Sequence, residues 1–134
     1  MRKLYESLGS AEYDNLIYDL FPPAVPFTVT IRKEASAKAV LKRGTVLALS
    51  GGTAGDGKMV ILGTAAAENE TLTANCILAD DTEVGTDADV VATAYRTGHF
   101  NSEKLIVAEE HTLSAEEKET LRNAGILISE ALEP

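Results

Sequence analysis

The chain has 134 residues, 45% of them hydrophobic and 25% charged, which suits one compact domain and is too apolar for disorder throughout. Twelve Lys and Arg stand against 21 Asp and Glu, a formal net charge of −9, and a surface that negative repels phosphates, so no nucleic acid is expected as partner. No apolar run approaches the roughly 18–20 residues that span a bilayer, and Met1-Arg2-Lys3-Leu4-Tyr5-Glu6 lacks the apolar core of a signal peptide, so a soluble protein with no membrane partner is expected.

Charge divides the chain. Residues 1–44 carry 7 basic and 5 acidic side chains, whereas residues 45–134 carry 5 basic and 16 acidic. Leu16, Ile17, Tyr18, Leu20 and Phe21 form an apolar cluster in a segment too short to bury it alone, which implies a partner surface. Pro22, Pro23 and Pro26 remove backbone donors and forbid a helix over residues 21–26. Val25, Phe27, Val29 and Ile31 then alternate with Pro26, Thr28, Thr30 and Arg32, a period of two with one apolar face. Pro26 fits such a strand only at an edge or at its start. Residues 1–31 are therefore expected to form an extended N-terminal arm, separable from a compact β-rich domain at residues 32–134.

Within that domain, Thr45-Val46-Leu47-Ala48-Leu49, the glycine-rich reversal Gly51-Gly52-Thr53-Ala54-Gly55-Asp56-Gly57 and Met59-Val60-Ile61-Leu62 predict a hairpin. Two further strands are expected at Ala74–Ala79 and Asp89–Thr97, separated by an acidic loop from Asp80 to Gly85. Asn101 is placed to cap a short helical turn, although Leu105, Ile106 and Val107 would serve a strand equally well. Ser114-Ala115-Glu116-Glu117 has the spacing of a capping box, Arg122 sits near the negative end of the helix it opens, and Gly125 is placed to stop it. That predicts a helix over 115–124, followed by Ile126-Leu127-Ile128 as a final strand or buried tail. The predicted class is α+β, mainly β: a small turn-rich β domain with one short C-terminal helix and an extended N-terminal arm.

Chemistry is sparsely represented. His99 and His111 lack companions at metal-ligand spacing, so no metal is expected. Cys76 has no disulfide partner in the chain, and within its apolar strand it reads as a buried small hydrophobe. The run Gly51 to Lys58 superficially suggests a phosphate-cradling loop, but that motif needs Ser or Thr after the lysine and a helix beyond it, whereas Met59-Val60-Ile61 predicts a strand. Lys58 near a hairpin tip also suggests a carrier lysine, without the usual flanking residues. Asp80, Asp81, Glu83, Asp87 and Asp89 do not follow the spacing of a calcium loop. No catalytic residue and no cofactor are expected.

The order of motifs resembles the lambda-type bacteriophage head decoration proteins. The resemblance rests on Leu41-Lys42-Arg43-Gly44-Thr45-Val46-Leu47-Ala48, the glycine-rich turn, Ile61-Leu62-Gly63-Thr64-Ala65, Ala94-Tyr95-Arg96-Thr97-Gly98-His99-Phe100-Asn101 and Leu121-Arg122-Asn123-Ala124-Gly125-Ile126. It implies a non-enzymatic protein made in the bacterial host cytoplasm that joins the outer surface of an assembled head as a homotrimer. There it would bind the major capsid protein and stabilise the shell against the pressure of packaged DNA. It also implies an arm that adds a strand to the capsid lattice, for which Val25, Phe27, Val29 and Ile31 are the candidate residues. Arg32, Lys33, Lys38, Lys42 and Arg43 would then lie near the shell. The alternatives are a tail or fibre component of a virion, or a carrier-type hairpin domain modified at Lys58.

Overall fold

Runs such as Val46-Leu47-Ala48 and Cys76-Ile77-Leu78 are apolar at every position, the pattern of strands buried on both faces. The computed structural model, which describes residues 16–129, shows how both faces are covered. The strands are β1 (Ile17–Asp19), β2 (Val25–Ile31), β3 (Ala39–Leu41), β4 (Val46–Gly51), β5 (Met59–Ile61), β6 (Thr71–Leu78), β7 (Thr82–Val84), β8 (Val90–Asn101) and β9 (Ile126–Ser129). A 3-10 turn spans Ser102–Lys104, and helix α1 spans Ala115–Ala124.

Strand β8 pairs with β2, β2 with β5, β5 with β4, β4 with β6, and β6 again with β8. The strand order thus closes on itself as a five-stranded barrel, with β2 meeting β5 through one register pair, Ile31 with Met59. Val29, Ile31, Leu47, Met59, Cys76, Leu78 and Ala94 fill its interior, joined by Leu41 and Val84 from the small β3–β7 ribbon. A second core lies on the outer face, where Val46, Ala48, Val60, Ala74 and Ile77 pack with Leu16, Phe100, Leu121 and Ile126. The outer layer is supplied by β1 and β9, both paired with the end of β8, and by α1. Alternate side chains of one strand therefore enter different cores, and both kinds of position must be apolar.

The hairpin, the strand at Ala74–Ala79 and the strand at Asp89–Thr97 correspond to β4–β5, β6 and β8. The predicted bounds of α1 match those observed. Ser114 Oγ accepts the Glu117 amide at 3.1 Å while Glu117 Oε1 accepts the Ser114 amide at 2.9 Å. Gly125 ends the helix in the left-handed conformation at φ 107°. Asn101 caps the 3-10 turn by accepting the Glu103 amide, and Ile106 forms an isolated bridge with Thr45, so that segment contains both a turn and a strand contact. The predicted acidic loop at 80–85 instead contains β7.

The main difference concerns residues 25–31. All seven are in register with β8, from Val25 opposite Thr97 to Ile31 opposite Val90, and Ile31 also pairs with Met59 of β5. Strand β2 is a wall of the barrel. The apolar face read from its alternation does not await a foreign surface at Val29 and Ile31, because those two side chains are buried inside this subunit. Pro26 sits where the sequence allows it: near the start of the strand, at a register shift, and away from the single β5 pairing.

Candidate functional site

Strands β1 and β2 follow one another along β8, with Asp19 opposite His99 and Val25 opposite Thr97. Five residues, 20–24, thus face only Gly98 and must leave the ladder as a projection. Gly98 makes room for the Phe100 ring: at φ 150°, a Cβ there would lie 2.6 Å from that ring, while Ala24 Cα would be in ordinary contact at 3.4 Å. Leu20 and Phe21 form the outer part of the projection, 63% and 82% exposed. Its two ends are held. Asp19 Oδ1 accepts the Phe21 amide at 2.8 Å, and Thr97 Oγ1 donates to the Pro23 carbonyl at 2.8 Å. Pro22 and Pro23 restrict the chain between. Beneath it the Tyr18 ring stacks on His99 at 4.4 Å, and His99 also contacts Asp19 and the Ser129 hydroxyl.

Beside the projection the ladder carries a bulge. Val25 is opposite Thr97 but Pro26 is opposite Tyr95, leaving Arg96 as the extra residue on β8. A bulge re-aims its side chain, and the Arg96 guanidinium lies 5.7 Å above the Phe27 ring. Of the four candidate attachment residues, the structure therefore separates two pairs. Val25, 39% exposed, and half-buried Phe27 border this edge, whereas Val29 and Ile31 are interior. Along one edge β2 pairs with β8, whereas along the other only Ile31 pairs, with Met59 of β5, so strand addition at residues 25–30 would have to use that second edge. Sequence alone singled out Leu20 and Phe21 as apolar; Arg96 gave no such signal, because its exposure depends on a register shift.

The glycine-rich loop is built around an acid, not a phosphate cradle. Glu70, 9% exposed, accepts from Arg32 and Ser50 at 2.5 Å each and from the Ala67 amide at 2.9 Å. The Ala67 amide, the Ser50 hydroxyl and Arg32 lower its carboxyl from 4.5 to about 2. Arg32, and then the Lys58 amide, hold Asp56 at about 2. Both carboxyls titrate lower in the folded chain than in the unfolded one, so their stabilisation is complete above the unfolded value and is lost as pH falls through the folded value. The thermal midpoint is expected to drop between pH 4.5 and 2, with a shallower drop in Glu70→Gln. An equally steep drop in that variant, followed by circular dichroism, would count against this network.

Other groups singled out from the sequence are engaged within the subunit. Lys58 Nζ lies 2.5 Å from Asp89, which raises the lysine pKa, so it is not presented as a free carrier lysine. Lys38 pairs with Glu83 and Lys42 with Asp81, while Arg32 serves Asp56 and Glu70, so much of the expected basic face is neutralised by its own acids. Cys76 is fully buried, and burial pushes its thiol up to about 12, the opposite of an activated nucleophile. His111 lies 3.0 Å from Glu117. Burial pushes the Glu117 carboxyl up, but the Ser114 amide and His111 outweigh it and leave the group below its ordinary value. Among the described residues, no group of three or more His, Cys, Asp and Glu could hold a metal ion, and no helix is long and apolar enough to cross a membrane.

No individual curated protein matches the chain. The family model that matches is that of bacteriophage lambda head decoration protein D, over residues 13–128.

Proposed function

The chain belongs to the bacteriophage lambda head decoration protein D family, and from that premise we propose that it binds the outer surface of the assembled head as a homotrimer and stabilises the shell against internal DNA pressure. Its role in capsid decoration follows from the family, which is structural; the outer-surface location, the trimer and the major capsid protein as partner are the finer reading. The observation that carries it is the reach of the family match, which takes in all the barrel strands, α1 and most of β9.

Two features support attachment through the N-terminal edge. Val25 and Phe27 border it at the outer end of β2, and Leu20 and Phe21 project from it. Fully covering an apolar side chain of this size contributes about 1.5–3 kcal/mol, so one edge alone binds weakly. Three such edges in one trimer act together, since tethering raises overall binding by roughly 10²- to 10⁴-fold. The subunit's net charge of −9 favours solubility once the rest of the surface faces outward.

The test is a titration of expanded empty heads of the phage that encodes this chain. Bound protein should saturate at a fixed ratio to the capsid protein, and saturated DNA-filled heads should survive heating that bursts bare ones. Absence of saturable binding, or saturable binding without protection, would contradict the proposal.

A further inference from the structure

We propose that the Leu20–Phe21 projection and Arg96 form one docking surface whose occupant is a segment of the phage shell carrying a carboxylate flanked by apolar side chains. This rests on the head-binding reading and names the chemistry of the partner surface. The projection is pre-organised: the Asp19 side chain fixes one end, the Thr97 hydroxyl fixes the other, and two prolines stiffen the middle. An apolar side chain that is already positioned loses little freedom on binding, which is the property of interface anchors. The other two phenylalanines are covered, Phe100 completely and Phe27 in part, so the exposure of Phe21 is a local exception.

Arg96 supplies the second half of the surface. The bulge on β8 turns its side chain over Phe27, next to Val25. Arg32, Lys38, Lys42, Lys58 and Arg122 each have a carboxylate in ion-pair contact, whereas Arg96, Lys33, Lys104 and Lys118 have none among the described residues, and of these four only Arg96 is on the β8 bulge beside the projection. A guanidinium lying over an aromatic ring keeps its planar edge open to a carboxylate, which it can bind through two parallel hydrogen bonds. The chain carries a net charge of −9, so a carboxylate-bearing partner is disfavoured by most of this surface and favoured at a local cation. Charge complementarity thus selects the partner group, and the position of Arg96 beside the projection selects the place.

Binding to expanded empty heads should be measured for the wild type and for Phe21→Ser, Arg96→Lys, Arg96→Glu and Val91→Ser. Val91 is 68% exposed on the same strand as Arg96 but away from the projection, so Val91→Ser controls for the loss of any exposed apolar group. Phe21→Ser and Arg96→Glu are expected to raise the half-saturating concentration by about tenfold or more. Arg96→Lys should fall between Arg96→Glu and the wild type, and Val91→Ser should bind as the wild type does. Added salt should weaken the wild type more than Arg96→Glu. Unchanged binding by Phe21→Ser and Arg96→Glu, with a wild type that saturates, overturns this surface and leaves the decoration role intact. A wild type that does not bind heads overturns both. Light scattering supplies a separate readout: if Phe21→Ser abolishes self-association, the occupant is a second copy of the chain and the shell assignment fails.

Discussion

Deleting residues 1–31 is expected to abolish the cooperative unfolding transition, whereas deleting residues 1–15 leaves it in place. The longer deletion removes β2, which joins β8 to β5 and closes the barrel. It also removes Leu16, Val29 and Ile31 from the two cores. Each buried side chain of that size contributes about 1.5–3 kcal/mol, against a net stability of about 5–15 kcal/mol for a typical domain. The hydrogen bonds of β8 are left open along the same stretch, so the remaining strands also gain an aggregation-prone edge. Urea denaturation followed by circular dichroism checks both deletions. A sharp transition after removal of residues 1–31 would show that β2 is dispensable and would restore the separable arm anticipated from the alternation.

Replacing Phe100 with Ala should cost about 3–5 kcal/mol. Its ring is fully buried in the outer core, 5.6 Å from Tyr95 and packed over Gly98. It also lies on β8 where β1 and β9 both pair, opposite Ile17 and Ile128. The cavity left by truncation therefore sits between the barrel and the layer that carries both described ends of the chain. Phe21→Ala is the matched control: at 82% exposure it should change stability by no more than about 0.5 kcal/mol. Linear extrapolation of urea transitions, with an unchanged slope, gives both values. Equal losses would show that Phe21 is packed in solution and would remove it as an attachment residue.

Legibility in the sequence followed the range of the interactions. Helix α1 could be read to its bounds because Ser114, Glu117 and Gly125 signal through contacts three or four residues away. Strand β2 was legible as a strand because Val25, Phe27, Val29 and Ile31 alternate, but periodicity shows that a face is apolar and not whose surface covers it. The covering partner, β8, lies more than 50 residues along the chain. The all-apolar run at Val46-Leu47-Ala48 is the sequence trace of double burial, and it becomes interpretable once the sheet is known to close. Strands β3 and β7 span only three residues each, too few to show a period. Glu70 was not legible because, apart from the Ala67 amide three residues back, its partners Ser50 and Arg32 are 20 and 38 residues away. The attachment edge was half legible: the apolarity of Leu20 and Phe21 was visible, whereas the bulge that exposes Arg96 depends on a register shift between two distant strands.

Cryo-electron reconstruction of expanded heads saturated with the protein tests head decoration through this edge most directly. The expected map has barrels seated on the outside of the shell, the Leu20–Phe21 projection and Arg96 against the capsid protein, and β2 still closed within its own subunit. A map with β2 withdrawn into a capsid sheet, with that edge facing solvent, or with no density on the shell would contradict it.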